Sequence, residues 1–327
     1  RRMRRAHTGS GRLRAPFFVA TILAGLPAAA EELRLALPVD CALGETCHVQ
    51  QYVDRVTGPE VRDFACGTLA NDGHKGTDFA LPSEAAMEAG VAVLAAAPGI
   101  VARTRDGVPD ARQGTPGAPD VTGRECGNGV VLSHGAGWET QYCHLLEGSV
   151  AVARGERVRV GTPLGLVGMS GAASFPHLHV SVRHEGRVVD PFRPGPGCGA
   201  AVGALWEEPI PYEAGGVISA GLAEAVPAYD AIKAGLPEDG LSAAPPAVVL
   251  WVFISNGRAG DTVTFEIAGP DGPFARHELA LETDQPFLFR AFGRRAPLLP
   301  EGDWHARASL RRDGEALDTH TVRAAVP

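Results

Sequence analysis

Glycine and proline interrupt this chain so often that long helices cannot form across most of it. The 327 residues include 41 glycines and 26 prolines, and both residue types end helices and supply turn geometry. Short apolar runs of strand length lie between them; one pair, residues 129–134 and 139–144, flanks a Gly-Ala-Gly turn and predicts a hairpin. Another turn is expected at Pro98-Gly99. The pattern over residues 71–195 therefore predicts an antiparallel β domain.

The last part of the chain has a more regular version of this pattern. From residue 247 onward, strand-like runs recur about every ten residues, separated by turns such as Asn256-Gly257. This spacing predicts a small Ig-like β-sandwich over residues 247–327. Residues 196–246 lack the spacing and are interpreted as a connector.

The first thirty residues differ in composition from the rest. Six arginines precede an apolar run from Ala15 to Leu26, and three alanines follow. This order predicts a secretory signal peptide over residues 1–30. A membrane-spanning helix is the alternative, but it needs roughly 20 apolar residues. We therefore expect no stable membrane insertion, and a periplasmic or secreted location.

Net charge narrows the range of partners. Removal of residues 1–30 takes away six arginines and no acidic residue, leaving 24 basic and 38 acidic side chains and a net charge of −14. An acidic surface disfavours nucleic acid as a partner.

Six cysteines constrain the exported chain further. They are Cys41, Cys47, Cys66, Cys126, Cys143 and Cys198. An even number of cysteines outside the cytoplasm predicts three disulfides, in a pairing that the sequence does not decide. A thiolate zinc site is the alternative, but such sites usually contain C-x-x-C pairs, which do not occur here. Residues 31–70, which carry the first three cysteines, are interpreted as an N-terminal lead-in.

Two short motifs offer metal ligands. The segment GHKGTD places His74 and Asp78 four positions apart, on a turn that enters a strand. In PHLHVSV, strand alternation puts His177, His179 and Ser181 on one face and the apolar residues on the other. The first motif alone is typical of surface residues, and the second alone is equally compatible with an ordinary surface pair. Together they supply three N/O ligands, the usual number in a catalytic zinc site, which keeps a fourth position open.

A third motif, YCHL, adds another histidine. Alternation predicts that Tyr142 and His144 share a face and that Cys143 points away. Cys143 would then be a poor zinc ligand, and His144 would be free to enter the cleft. A hydrogen-bonded structural histidine is the alternative for His144.

The order of these motifs resembles the lysostaphin-like (LytM-type) zinc metallopeptidases. The resemblance is carried by G-H-x-x-x-D ending at Asp78, Y-x-H-L ending at Leu145, G-x-S-G ending at Gly171, P-H-L-H ending at His179 and a later V-D-P. It covers about residues 71–192. It implies an antiparallel fold of the duplicated hybrid motif type, with a zinc-dependent peptidase site.

The resemblance also implies a role for each matching residue. One Zn²⁺ per chain would be bound by His74, Asp78 and His179, with His177 and His144 beside the open coordination position. One imidazole would exchange protons near neutral pH, and the other would stabilise the oxyanion of the tetrahedral intermediate. The sequence does not decide which does which; we favour His177 as the base and His144 as the oxyanion stabiliser.

Other histidines and one loop lie outside these motifs. His134 ends a predicted strand and is interpreted as structural. Five more are interpreted as surface or packing residues: His48, His184, His277, His305 and His320. Residues 106–125, rich in Gly, Pro, Asp and Arg, form a loop that either borders the cleft or is an ordinary mobile surface loop.

We therefore expect an all-β chain in which a LytM-like domain is followed by an Ig-like sandwich. The expected function is that of an exported zinc metalloendopeptidase acting on the stem peptides or cross-links of peptidoglycan. A non-catalytic LytM-type regulator of other cell-wall hydrolases is the alternative, and a peptidase for secreted proteins is a third hypothesis. The C-terminal module is expected to hold substrate, bind a regulatory protein partner or cover one end of the groove.

Overall fold

The first half of the chain forms ten short strands and one helix among the residues described by this computed structural model, which are residues 2–3, 9, 33–236 and 240–327. The strands are β1 (His48–Gln51), β2 (Thr77–Ala80), β3 (Ala92–Leu94), β4 (Gly99–Arg105), β5 (Asn128–Gly135), β6 (Trp138–Leu145), β7 (Arg157–Val158), β8 (Pro163–Leu166), β9 (His177–His184) and β10 (Arg187–Val189). The helix is α1 (Glu84–Glu88), whose first turn is capped by Ser83 Oγ accepting from the Ala86 N–H.

The predicted signal peptide, residues 1–30, lies outside the described residues except at residues 2, 3 and 9. Within the described ranges, no helix is long and apolar enough to cross a membrane.

Eight of these strands form one sheet. Its order is β1-β2-β9-β6-β5-β4-β7, with β10 paired to β9, and every pairing is antiparallel. A separate two-stranded sheet joins β3 and β8. Buried side chains such as Phe79, Leu132, Leu164 and Leu178 fill the core beneath the large sheet. The prediction of an antiparallel, all-β fold is confirmed.

The N-terminal lead-in is part of this sheet. Strand β1 lies within residues 31–70 and pairs with β2, which carries Asp78. Tyr52, just after β1, is fully buried and contacts the rings of Phe64, Phe192 and Tyr212. The lead-in therefore supports the strand that carries a candidate ligand.

All six cysteines form disulfides, and no free cysteine occurs among the described residues. The pairs are Cys41–Cys47, Cys66–Cys198 and Cys126–Cys143. The prediction of three disulfides is confirmed. The second pair joins the lead-in to the segment that follows β10, and the third joins Cys126, just before β5, to β6.

The rest of the chain forms seven strands and a short helix among its described residues. The elements are β11 (Gly216–Ala223), α2 (Tyr229–Ala234), β12 (Ala247–Gly257), β13 (Thr262–Gly269), β14 (Gly272–Ala280), β15 (Gln285–Arg295), β16 (Gly302–Arg312) and β17 (Glu315–Val326). Helix α2 ends at Gly235, whose φ of 101° suits glycine. Strand β11 lies inside residues 196–246 and is the element that the interpretation of this segment as a connector misses.

These strands build a two-layer sandwich. One sheet has the order β11-β12-β15 and the other β14-β13-β16-β17. A shared apolar core joins Leu250 and Ile254 of the first sheet to Phe265, Trp304 and Leu310 of the second. The first, second and fifth of these strands thus lie opposite the third, fourth, sixth and seventh, and two packed antiparallel sheets of seven strands suit an Ig-like sandwich. That assignment stays a prediction.

Candidate metal centre

Three side chains converge at the edge between β2 and β9. His74 precedes β2, Asp78 lies within it, and His179 is its cross-strand partner on β9. His74 Nε2 lies 3.1 Å from Asp78 Oδ2, and His179 Nδ1 lies 2.8 Å from Asp78 Oδ1. One ligand atom from each residue lies within 4.8 Å of the other two. The structure thus brings together the three residues that the sequence predicted as ligands.

The second nitrogen of each imidazole fixes where its lone pair points. His74 Nδ1 lies 2.7 Å from the Tyr52 carbonyl oxygen, which can only accept, so Nδ1 carries the proton. His74 Nε2 then presents a lone pair to the cluster. His179 Nε2 lies 3.0 Å from Ser181 Oγ, and donation to that hydroxyl leaves Nδ1 free. Orientation of metal-binding imidazoles by such outer acceptors is a general property of metal sites.

Two nitrogens and one carboxylate are a donor set that suits a divalent transition metal. The side chains are also largely withdrawn from water, with exposed fractions of 12% for His74, 6% for Asp78 and 15% for His179. The cluster could therefore hold one metal ion.

The electrostatics of the cluster favour an ionised carboxylate. Burial raises the pKa of Asp78, but His74, His177 and His179 outweigh it and hold that pKa well below its ordinary value. Burial lowers the pKa of His74, but the Asp78 carboxylate raises it further, so its net shift is upward. For His179 burial dominates and its pKa is lowered.

Gly76 allows the chain to pass close to the cluster. A Cβ atom at this position would lie 2.6 Å from His179 Nε2 and 2.6 Å from the Val180 carbonyl oxygen. Real Cβ atoms do not approach so closely, so the second glycine of GHKGTD is required by the position of the His179 ring.

His177 lies beside the cluster at the start of β9. Its Nδ1 donates to the Phe175 carbonyl oxygen at 2.8 Å, and its Nε2 lies 3.8 Å from Asp78 Oδ2. The side chain is buried, and its Nε2 carries a lone pair while the ring is neutral. This second histidine therefore faces the candidate ligands without belonging to the cluster of three.

His144 reaches the same place by a different backbone route. Its ring centroid lies 4.6 Å from that of His177 and 6.0 Å from that of His179. Its Nδ1 donates to the Ser170 carbonyl oxygen at 2.7 Å. Burial, followed by the nearby His177 and His179, lowers the pKa of His144 to about 3, so the ring is neutral near pH 7.

The strand alternation predicted around His144 is wrong. Tyr142 is fully buried in the core, where its hydroxyl accepts from the Ala96 N–H at 2.9 Å. Cys143 is the cross-strand partner of His179 and so lies on the same face as the cluster. His144 has a φ of 63°, and this left-handed backbone turns its side chain to the face that alternation assigns to Cys143. Cys143 is not free to bind metal because it pairs with Cys126.

Backbone carbonyls are the functional groups that the sequence did not reveal. Those of Tyr52, Phe175 and Ser170 each hold one imidazole, and a carbonyl has no residue-type signature. Ser170 alone carried a signal through the G-x-S-G motif. Its hydroxyl donates to the Leu145 carbonyl at 2.6 Å and accepts from the Asn128 N–H at 2.9 Å, which fixes the loop beneath His144.

The loop of residues 106–125 is tied to the loops around the site. Asp110 accepts from the backbone N–H groups of Met169 and Glu147, and the Gln113 N–H donates to the Ala173 carbonyl at 2.8 Å. The loop thus borders the segment that leads to His177.

His134 lies elsewhere on β5, where its two nitrogens contact the Pro98 carbonyl and Thr140 Oγ1.

Comparisons with known proteins agree with this arrangement. The sequence matches Peptidase family M23 over residues 72–191. The peptidoglycan DD-endopeptidase ShyA of Vibrio cholerae is 34% identical over 36% of this chain and 22% of its own length. The DD-carboxypeptidase/endopeptidase Mpg of Neisseria meningitidis is 39% identical over 25% of this chain and 20% of its own length.

Among solved structures, the catalytic domain of lysostaphin from Staphylococcus simulans is 21% identical over 43% of this chain and 85% of that chain, with a TM-score of 0.28. This chain spans about a fifth of the length of the curated relatives described above. Residues 72–191 therefore form a domain of peptidase family M23, of the LytM type.

Proposed function

We propose that this chain is an exported zinc metalloendopeptidase that hydrolyses peptide bonds in the stem peptides or cross-links of peptidoglycan. The observation that carries the proposal is the convergence of His74, Asp78 and His179, with His177 and His144 directly beside them. The predicted signal peptide and the three disulfides support export. The names of ShyA and Mpg support the substrate class.

His74 Nε2, an Asp78 carboxylate oxygen and His179 Nδ1 would hold one Zn²⁺ per chain. When bound, zinc acts as a Lewis acid that makes water more acidic and polarises a carbonyl oxygen. Three protein ligands leave one position for substrate or water. The hydrogen bonds to Tyr52 and Ser181 keep both imidazoles in the tautomers that this binding requires.

His177 would take the proton from the attacking water. Its Nδ1 proton is held by the Phe175 carbonyl, so Nε2 is the nitrogen available to accept. Because Nε2 lies on the Asp78 side of the ring, the proton is taken next to the ligands and can then be passed to the leaving amine.

His144 would stabilise the oxyanion of the tetrahedral intermediate. The bond to Ser170 leaves no proton on His144 Nε2 while the ring is neutral. Donation to an oxyanion therefore requires Nε2 to take up a proton from solvent as negative charge develops, and to return that proton to solvent when the intermediate collapses. Its close contact with His177 places it where negative charge develops.

A non-catalytic regulator on the same scaffold is the alternative. It is disfavoured because all three ligand positions and both neighbouring histidines are present and oriented. The test is zinc analysis of the purified chain together with digestion of isolated peptidoglycan, with and without chelator. One zinc per chain and chelator-sensitive release of peptides are expected. The absence of both zinc and peptide release would favour the regulator. Zinc without release would exclude peptidoglycan as the substrate under those conditions.

A further inference from the structure

The outer face of the first sheet of the C-terminal sandwich is covered, and Phe175, just before His177, supplies part of the cover. Alternate residues of β12 point away from the sandwich core, and among them Trp251 and Phe253 are buried. Phe253 is completely buried although it lies on this outer face. It packs with Phe175 of the M23 domain and with Ile232 of α2.

Phe175 links this face to the candidate active site. Its ring centroid lies 5.9 Å from that of Phe253 on β12 and 5.6 Å from that of Phe287 on β15. Only 2% of Phe175 is exposed. The same residue provides the carbonyl oxygen that accepts the Nδ1 proton of His177. The side chain of Phe175 is thus held by the sandwich while its carbonyl holds His177.

The backbone makes this link stiff. Phe175 precedes Pro176, and a residue before proline is restricted to extended conformations. The Pro176 carbonyl accepts from the Leu81 N–H at 3.0 Å, which fixes the chain just after Phe175. Because the backbone on both sides of Phe175 has little freedom of its own, only a displacement of the whole residue from its place against Phe253 and Phe287 would move its carbonyl, which lies two residues before His177.

Helix α2 holds the aromatic face against the M23 domain. Its Tyr229 ring lies 5.8 Å from Phe253, and its Asp230 binds Arg112 of the loop formed by residues 106–125 at 3.0 Å. Arg112 also forms an ion pair with Glu84 of α1. Helix α2 therefore contacts both the aromatic face and the M23 domain.

We propose that the C-terminal sandwich positions the active site: Phe253 and Phe287 hold Phe175, and the Phe175 carbonyl thereby keeps His177 in the tautomer with Nε2 free. Phe175, Phe253 and Phe287 are positioning residues that act through His177. The proposal gives the C-terminal module a role in the reaction itself. Its consequence for turnover rests on the proposed peptidase function, whereas its effect on the His177 ring does not.

Residue Phe287 offers the sharpest variant. Phe253 is fully buried, so Phe253→Ala threatens folding, but Phe287 is only partly buried at the rim of the contact. Phe289 is a matched control because it lies two residues along the same strand and is partly buried, as Phe287 is. Its ring stacks on Tyr229 at 6.3 Å and has no ring contact to Phe175. Phe287→Leu is the conservative variant that restores apolar packing.

The first measurement reports the tautomer of the His177 ring directly. Nitrogen spectra of the zinc-loaded chain with ¹⁵N-labelled histidine distinguish the two tautomers, and His177→Gln identifies the signal of this residue. We expect the Nδ1–H form of His177 in the wild type and in Phe289→Ala, and a mixture or loss of that form in Phe287→Ala. Phe287→Leu should restore it. An unchanged His177 signal in Phe287→Ala overturns the proposal, whether or not the chain proves to be a peptidase.

The second measurement is hydrolysis. Misplacement of a catalytic group by about 1 Å can lower turnover by about a hundredfold, so Phe287→Ala should lower kcat by about ten- to a hundredfold with little change in KM or zinc content. Introduced into His177→Gln, it should lower the residual rate no further. Equal losses of kcat in Phe287→Ala and Phe289→Ala, or a full additional loss in the His177→Gln background, contradict the proposal. Inactivity of the wild type would instead count against the peptidase function.

Discussion

The carbonyl oxygen of Tyr52 and Nδ1 of His74 lie 2.7 Å apart, joining the lead-in to a candidate metal ligand. Tyr52 is held in place by its buried ring, which packs on Phe64, Phe192 and Tyr212. The orientation of the His74 lone pair is therefore set by Tyr52, a residue outside the GHKGTD motif. Residues before the M23 match are part of the functional unit.

The ligand assignment predicts a division among the histidines. His74→Ala, Asp78→Ala and His179→Ala should each weaken zinc binding by more than about a hundredfold, since each removes one of three protein ligands. His177→Ala should keep one zinc per chain and lose turnover on the order of 10²- to 10⁴-fold. Elemental analysis after dialysis, run beside a hydrolysis assay, measures both.

Each residue can fail this test separately. A variant that keeps one zinc equivalent shows that the substituted side chain is not a ligand. Loss of zinc from His177→Ala would mean that the two histidines of the HxH motif have exchanged roles.

Gly76 is predicted to be required for zinc binding although it offers no ligand atom. In Gly76→Ala the new methyl group would meet the His179 ring and the Val180 carbonyl, so the ring must move and zinc affinity should fall by about ten- to a hundredfold. Zinc titration with a competing chelator measures this. Gly73→Asn is the control: position 73 has open space and a φ of 69°, which asparagine tolerates. Equal affinity of Gly76→Ala and the wild type would contradict the prediction.

The disulfides should differ in their contribution to stability. Cys66–Cys198 spans 132 positions and Cys41–Cys47 spans 6. Loop-closure entropy predicts that the long link stabilises the fold by about 5 kcal/mol and the short one by about 2 kcal/mol. Replacing each pair by serine and comparing urea unfolding tests the difference. If both double variants lose the same free energy of unfolding, chain entropy is not the source of the stabilisation.

A buried carboxyl outside the site should make stability depend on pH. Burial raises the pKa of Glu213 from 4.5 to about 7; the Val49 N–H opposes this shift and Asp318 adds to it. Between these values the folded chain binds more protons than the unfolded chain, so the free energy of unfolding should fall as pH rises from about 4.5 to 7. Glu213→Gln keeps an acceptor for Val49 and should remove a decline on the order of 3 kcal/mol.

Urea unfolding at several pH values measures the effect of Glu213. Asp318→Asn serves as a control, because it removes a nearby negative charge and should shift the upper end of the decline to lower pH. Parallel pH profiles for the wild type and Glu213→Gln would exclude Glu213 as the source.

The resemblance to the lysostaphin-like peptidases singled out the three candidate ligands, and strand alternation accounts for part of their geometry. Alternation along β9 correctly places His177, His179 and Ser181 on one face, and pairing with β2 brings Asp78 opposite His179. The same rule failed at His144, because a single left-handed residue at a strand end resets the alternation. No short-range pattern signals such a residue when it is not glycine.

Other features depended on contacts between distant parts of the chain. Strand β11 follows a run of Gly and Pro and was not recognised, since its pairing with β12 is what makes it a strand. The cysteine pairs and the carbonyls that orient the imidazoles are likewise set by tertiary packing. The Ig-like spacing of the later strands was visible because each of their turns is local.

The contact between Phe175 and the sandwich sets an order on assembly. Because synthesis begins at the N-terminus, β12 and β15 are made after the four residues that form or orient the candidate cluster: Tyr52, His74, Asp78 and His179. The metal-binding cluster can therefore form on a partial chain, while the hold on Phe175 is completed only when the final strands have folded. Under the proposed function, a chain truncated before β12 would keep the candidate ligands but lack the contacts that hold Phe175, and would reach full turnover only when the last strands are present.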